Sequence, residues 1–437
     1  MIQDKTLIDK KENLATFRRD DRLLVIDPDS ASWVVLFGEF LPVFSGLKRG
    51  RPFSSLVREY QGYHPDGLRF FIDDLYKHGI VRLNGRYFFD KENLWNEAGI
   101  PPSLTVDLGS ACSLACPDCT RGEPELASYG ADEILRSGWD IPYSLVFSGG
   151  EPFLNPALPG LLEDLNKKAG DRLNIMILTG GIPLEDDMLA LLARLHVGLI
   201  FRLDGPREIH DRYRLLHDGS GSFQKTYDAM CRARNRGLKI AVRSTLRSPG
   251  DLLPTLEYFV SEGLDQAMIN LSPPDGSSEK IWEDWGREQI RALEYLGEKN
   301  RSDGTIFHLY DLKHLVNAIL RRVRNYSCYF SPCGGGVRVR YLDSKGEVKP
   351  CRELALVGAE FTGDELSKRV VESLPKCLRC AFRNFCGGGC PARAYSTFGT
   401  IMREDGACPA IRYMIPELIW KLYDNPALAS GLGVSIS

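Results

Sequence analysis

Leu104-Thr-Val-Asp-Leu108-Gly-Ser-Ala-Cys112-Ser-Leu-Ala-Cys116-Pro-Asp-Cys119 decides how the rest of the chain is read. A short apolar run with a β-branched centre stops at Leu108, and three cysteines follow in one loop at the spacing CxxxCxxC. Five more apolar runs follow downstream: Leu145–Phe147, Ile175–Leu178, Gly198–Leu203, Ile240–Arg243 and Ala267–Leu271. The stretches between them are long enough for crossover helices, so six buried strands in a parallel βα array are predicted, a partial (β/α)6 TIM-like barrel in an α/β chain. Function in such arrays gathers at the C-terminal ends of strands. The cysteine loop, Gly149-Gly150-Glu151, Thr179-Gly180-Gly181 and Asp204-Gly205-Pro206 all fall there.

The cysteines divide the chain. None of the 12 precedes Cys112, Cys231 stands alone, and eight crowd between Cys328 and Cys408. With 437 residues, three units of about 150 residues are expected, placed at 1–98, 99–325 and 326–437. A 43% hydrophobic and 26% charged composition suits a folded globular chain. The formal charge of -3 supplies no global field for nucleic acid or an anionic membrane. The start lacks a basic-then-apolar signal pattern, and no apolar run is long enough to cross a bilayer, so the expected location is the cytoplasm. In that reducing compartment the cysteines point to metal or redox chemistry rather than to disulfides.

Region one opens with a predicted hairpin, Arg22–Asp27 and Ser32–Phe37, joined by Asp-Pro-Asp-Ser turn residues. Leu68, Phe71, Ile72, Leu75 and Tyr76 repeat at helical spacing, and Gly79 supplies the stop. Asn84-Gly85 predicts a second hairpin between Ile80–Leu83 and Arg86–Phe89. The sum is a small winged-helix-like module. Its 14 Lys and Arg against 13 Asp and Glu over residues 1–90 lack the electrostatic footprint of a DNA binder.

Three thiolates on one tight loop can hold three corners of a cubane iron-sulfur cluster and leave one iron without a protein ligand. A zinc site wants four ligands, and three structural cysteines or a zinc ion with a remote fourth ligand are the alternatives. Region three adds Cys333, twelve residues, Gly346, four residues, Cys351, then Cys377-x2-Cys380-x5-Cys386-x3-Cys390 and finally Cys408. A pair of zinc ribbons is the competing reading of its Cys-x2-Cys knuckle. Cys231 reads as a core thiol, and the scattered histidines form no constellation.

These motifs resemble the radical S-adenosylmethionine (radical SAM) superfamily, whose cysteine loop follows the first strand of a partial barrel. The resemblance implies that the free iron chelates S-adenosylmethionine and that Gly149, Gly150 and Glu151 meet its methionyl amino group. Leu203-Asp204-Gly-Pro-Arg-Glu-Ile-His-Asp-Arg-Tyr-Arg214 is similar to a stretch of sulfatase-maturase-type members. By that match Asp204 and Arg214 join the cofactor site, and Arg214 pairs with the methionyl carboxylate, with Arg243 on the fifth strand the alternative. Asp118 stands at a position usually aromatic, Arg202 where those enzymes commonly place a ribose-contacting Ser, and Thr179-Gly-Gly where Thr-Asn-Gly is frequent. Region three resembles the SPASM pattern, which implies two auxiliary four-iron, four-sulfur clusters. By resemblance Cys328, Cys333, Cys351 and Cys390 hold one, and Cys377, Cys380, Cys386 and Cys408 the other. With Cys112, Cys116 and Cys119 that makes three clusters.

The implied reaction is reductive cleavage of S-adenosylmethionine to methionine and a 5'-deoxyadenosyl radical, which takes a hydrogen atom from unactivated carbon. A reductant such as flavodoxin or ferredoxin would supply the electron, and auxiliary clusters could accept a second one from the substrate. The first module looks like a RiPP recognition element, the PqqD-like fold that takes the leader of a ribosomal precursor peptide as an added strand. Maturation of such a peptide, with a thioether or carbon-carbon cross-link, is the leading expectation. Sulfatase-type maturation is the runner-up, although Arg352 stands after Cys351 where those relatives carry an Asp base. A non-catalytic iron-sulfur electron carrier would not need the Gly-Gly-Glu and Leu-Asp-Gly-Pro features.

Overall fold

A computed structural model describes residues 2–88, 102–119, 122–272, 278–322 and 334–435. Cys328, Cys333, Phe89 and both expected domain boundaries lie outside the described residues.

All six expected strands form. They are β7 (Ser103–Asp107), β8 (Tyr143–Ser148), β9 (Leu173–Thr179), β10 (Gly198–Arg202), β11 (Ile240–Leu246) and β12 (Gln266–Leu271), each pairing in parallel with the next. β9 buries every residue but Asn174, as a strand covered on both faces must. The covering helices carry matching stripes: the helix Leu158–Ala169 buries Leu158, Leu161, Leu162 and Leu165, one face at helical period.

The sheet is larger than expected. β13 (His308–Leu309) extends it beyond β12, and β14 (Val339–Leu342) pairs in parallel with β7 and carries β15 (Val348–Lys349) at the far edge. Region three therefore begins by adding to the barrel sheet, and Tyr341 of β14 donates its hydroxyl to the buried Asp107 carboxylate of β7.

The N-terminal module contains β1 (Leu7–Lys10), β2 (Ala15–Arg19), β3 (Arg22–Asp27), β4 (Ser32–Leu36), β5 (Arg51–Pro52) and β6 (Val81–Leu83). They form two three-stranded sheets, β2-β3-β4 and β5-β1-β6. The β3–β4 hairpin is as expected, and so is the helix, Pro65–Lys77, which ends before Gly79 at φ 68°. The second hairpin closes where expected, with Leu83 and Arg86 exchanging both backbone hydrogen bonds at 3.0 Å, and its end at Phe89 lies outside the described residues. Asn84 and Gly85 turn with φ 49° and 77°, and Arg86 bridges Leu83. β6 also pairs with β1, and Asn84 exchanges hydrogen bonds with Leu7: its N–H reaches Leu7 O at 2.8 Å, and its Oδ1 accepts from Leu7 N at 2.9 Å.

The β2-β3-β4 sheet faces two cores. Val25, Val34 and Leu36 pack with Leu68, Phe71 and Ile72 of the module. On the opposite face Leu24, Ile26, Trp33 and Val35 join the main core. Phe17 stacks on Phe382 at 5.4 Å, Asn384 Nδ2 donates to Pro28 O at 2.6 Å, and Arg383 pairs with Asp29. Trp33 Nε1 donates to Ile319 O at 2.9 Å. Among the described residues no helix is long and apolar enough to cross a membrane.

A sheet shared in this way is part of the core and not an appendage. Trp33→Ala removes a large buried ring and its hydrogen bond, and it should lower the free energy of unfolding in urea by about 3 to 5 kcal/mol. An unchanged midpoint would show that the module stands apart.

Candidate active site

The Gly-Gly-Glu turn after β8 is laid directly on the start of the cysteine loop. Gly150 N donates to Gly109 O at 2.8 Å, and Glu151 N donates to Ala111 O at 2.7 Å. A Cβ on Gly150 would lie 2.1 Å from Ala111 O, and one on Gly149, at φ 142°, would lie 2.7 Å from Gly109 O. In the structure these glycines let two loops touch. Arg202 belongs to the same contact, donating to Gly149 O at 3.0 Å and Gly150 O at 3.4 Å.

Glu151 is buried at the hub. Its Oε1 accepts from Thr179 Oγ1 at 2.7 Å and its Oε2 from Gly180 N at 2.8 Å, which ties β8 to the end of β9. Burial pushes its carboxyl up to about 7, against the opposing pull of those bonds.

The Asp204–Arg214 segment closes the other side. Arg214 Nε donates to Asp204 Oδ2 at 2.8 Å, and Thr245 N of β11 donates to Asp204 Oδ1 at 2.7 Å. The Arg214 guanidinium also lies near enough to Cys116 to favour its thiolate. A relay fixes its backbone: Asp204 N donates to His210 Nδ1, His210 Nε2 then donates to Ser222 Oγ, and Ser222 Oγ donates to Arg214 O. Burial holds His210 down at about 4, so the ring is neutral and serves as a strut. Arg243 points elsewhere, to Glu353 at 3.1 Å in region three.

Residues that the sequence reading passed over complete the cradle. His217 Nε2 bonds Cys112 O at 3.0 Å, Ala115 N donates to Leu215 O at 2.8 Å, and Leu114 bridges Leu216. Arg247, after β11, pairs with Asp118 and lies 5.1 Å from the Tyr213 ring. The unusual Asp118 is thus half of an ion pair between the cysteine loop and the next strand end. An Asp before the third cysteine with an Arg just past a strand was the available signal, but the pairing crosses 129 residues.

Burial raises the Cys112 and Cys116 thiols, while Arg202 and Arg214 favour their thiolates. Cys119 is exposed at the open side. Soft thiolate donors beside guanidinium groups, with one side open, fit an iron-sulfur cluster. Among the described residues no three His, Cys, Asp or Glu side chains converge as on a single ion; a four-iron cluster takes its thiolates on separate irons.

In region three, Cys377, Cys380, Cys386 and Cys408 lie close enough for the charge of one to raise the pKa of the next. Burial is the larger cause and pushes Cys377 up to about 12 and Cys408 up to about 11. Cys351 and Cys390 share a separate small core with Leu354 and Ala392. Cys231 sits in the helix Phe223–Asn235, far in sequence from both groups and beside Tyr227.

Residues 106–261 match the Radical SAM superfamily. That stretch has the sequence pattern of a radical SAM domain. It is 25% identical over 344 residues to the mycofactocin maturase MftC of Mycobacterium tuberculosis, covering 70% of this chain and 83% of that one. At 23% over 356 residues, 71% of this chain and 88% of the relative, it is similar to the AdoMet-dependent heme synthase of Oleidesulfovibrio alaskensis. The fold is that of native anSMEcpe with bound AdoMet, with TM-score 0.60, 18% identity and 74% and 100% of the two chains covered. Streptococcus suis SuiB bound to precursor peptide SuiA aligns over 92% of this chain and 100% of its own, with TM-score 0.51 and 15% identity.

Because Glu151 keeps its proton in the folded chain up to about pH 7 and loses it near 4.5 when unfolded, folding retains a proton across that window. Stability therefore falls as pH rises through it, by up to about 3 kcal/mol. In urea melts Glu151→Gln should gain on wild type between about pH 5 and about pH 8. A difference that does not vary with pH would contradict the buried, protonated carboxyl.

Proposed function

We propose that this protein is a radical SAM peptide maturase that oxidatively cross-links a ribosomally synthesised precursor, through a thioether or a carbon-carbon bond. The observation that carries the reading is the N-terminal sheet built into the same core as the Cys380–Cys386 loop. Its outer strand β2 has one neighbour in the sheet and is partly exposed, which leaves an edge for an added strand, whereas β4 at the other side is buried throughout. The alignment with a precursor-bound SuiB runs over nearly the whole chain, whereas the anSMEcpe alignment covers about three quarters of it, and this supports a peptide reading over a sulfatase-type one.

Cys112, Cys116 and Cys119 would hold the SAM cluster. Cys377, Cys380, Cys386 and Cys408 would hold one SPASM-type auxiliary cluster, and Cys351 and Cys390, with Cys328 and Cys333, the other. When bound, the SAM cluster supplies an electron that cleaves S-adenosylmethionine to a 5'-deoxyadenosyl radical. The chain's own residues prepare the mouth for that cofactor. Glu151 offers a carboxyl to the methionyl ammonium, whose arrival would draw its pKa down. Arg214, held through Asp204, has guanidinium N–H groups turned to the cysteine loop and suited to a carboxylate. Gly149 and Gly150 keep the turn close, and Arg202 holds it there. Arg243 and Glu353 join the parallel sheet to region three through an ion pair at 3.1 Å. A flavodoxin or ferredoxin in the cytoplasm is the expected electron source.

Co-expression with each short, cysteine-containing open reading frame beside the gene, followed by mass spectrometry of the peptide, tests the reading. One precursor should lose two hydrogens. In hydrogen exchange the full-length precursor, and not its core segment alone, should protect backbone amides of β2. Protection confined to the barrel mouth would remove the leader-binding role, and turnover of a porphyrin or a folded protein with no peptide modified would overturn the maturase reading.

A further inference from the structure

Arg369 is the largest fully buried side chain among the described residues, 1% exposed, and it stands eight residues before Cys377. Its guanidinium bonds four backbone carbonyls: Nε donates to Ile401 O at 2.5 Å, Nη1 to Gly389 O at 2.9 Å, and Nη2 to Gly388 O at 3.0 Å and Arg403 O at 2.9 Å. Burying that charge carries a large desolvation cost, which good acceptors offset.

The acceptors mark the place where the cysteine-bearing segments meet. Gly387, Gly388 and Gly389 fill the whole gap between Cys386 and Cys390, with φ of 64°, 87° and 73°. Three successive left-handed residues form no regular structure, and their amides and carbonyls need partners from outside. A Cβ on Gly388 would lie 2.5 Å from Leu374 Cδ1, and one on Gly389 would lie 2.3 Å from Asp405 Cβ. From the other side buried Asp405 accepts from Cys390 N at 2.7 Å and Ala407 N at 2.8 Å and pairs with Arg393 at 2.6 Å. Ile401 and Arg403 lead into Cys408. Through Gly388 and Gly389 the Arg369 guanidinium lies on the loop that joins Cys386 to Cys390.

We propose that Arg369 is a positioning residue: it winds the Cys386–Cys390 loop about its guanidinium and places a fixed positive charge beside the auxiliary cluster held by Cys377, Cys380, Cys386 and Cys408. The inference rests on the reading of those four cysteines as cluster ligands. It adds a non-ligand side chain that joins Cys386, of one expected cluster, to Cys390, of the other. The sequence signal is the Gly-Gly-Gly spacer, which demands an organising group but does not say which.

The test uses the full-length protein reconstituted anaerobically with iron and sulfide, as wild type, Arg369→Lys and Arg369→Gln. Lysine keeps the charge but lacks the planar fork. Arg369→Lys should lose auxiliary iron to a chelator roughly tenfold faster than wild type, as expected for lost charge-assisted bonds. The auxiliary midpoint potential, followed by electron paramagnetic resonance, should stay near that of wild type. Arg369→Gln should show the faster loss and also a potential shifted to more negative values, because the reduced cluster loses its neighbouring cation. Wild-type chelation rates in Arg369→Lys overturn the positioning role, and they decide the matter if Arg369→Gln does not fold. A wild-type potential in a folded, cluster-loaded Arg369→Gln overturns the charge role. Cys377→Ala/Cys408→Ala separates the two levels: if it loses no iron, the cluster reading itself fails.

Discussion

Nothing in the barrel mouth works unless the turn after β8 can lie against the first residues of the cysteine loop. At position 150 even a methyl group would sit 2.1 Å from a carbonyl oxygen, so backbone must meet backbone. Two backbone hydrogen bonds and the Arg202 guanidinium then fasten the contact. From it the site extends in both directions. Glu151 carries the restraint to β9, and the cysteine loop passes it through Ala115, Leu114 and Cys112 to residues 215–217, where Arg214 and its Asp204 partner are anchored. The loop is thus held on three sides by groups that do not depend on a bound metal.

Region three solves a similar problem with charge instead of close packing. Arg369 and Asp405 are buried, carry opposite charges and grip the same glycine spacer from opposite sides, one by its carbonyls and one through Cys390 N–H. The N-terminal sheet reaches the same place from outside. Asp29 and Pro28 hold Arg383 and Asn384, and Phe17 stacks on Phe382, all between Cys380 and Cys386. A peptide strand added to that sheet would press on the element that carries the auxiliary cysteines. The N-terminal sheet and the Cys380–Cys386 loop share one packed core.

The barrel was legible because six short apolar runs separated by helix-length stretches leave few alternatives to a parallel array. The cysteine spacings and the Gly-Gly-Glu turn were legible because their chemistry is local. What escaped was made by partners distant in sequence. β1 pairs with β6 across some seventy residues, and β14 joins β7 from beyond residue 330. The docked face of the β2-β3-β4 sheet meets residues more than 350 positions away, and its alternation of apolar side chains does not say that both faces are buried. His217 and Arg247 look like ordinary polar surface residues in sequence, and only the turn of the chain brings them to the cysteine loop. The second hairpin closes at Leu83 and Arg86 as expected, while the pairing of β6 with β1 on its other side was not legible.

The central claim is that Cys112, Cys116 and Cys119 hold a cluster that cleaves S-adenosylmethionine. It is tested most directly by anaerobic reconstitution of wild type and of the triple variant Cys112→Ala/Cys116→Ala/Cys119→Ala, with iron counted and 5'-deoxyadenosine measured after addition of dithionite and S-adenosylmethionine. The account predicts that wild type forms 5'-deoxyadenosine and that the triple variant forms none and holds about four fewer irons per chain. Zinc in place of iron in the anaerobically purified wild type, or 5'-deoxyadenosine formed as fast by the triple variant, would contradict it.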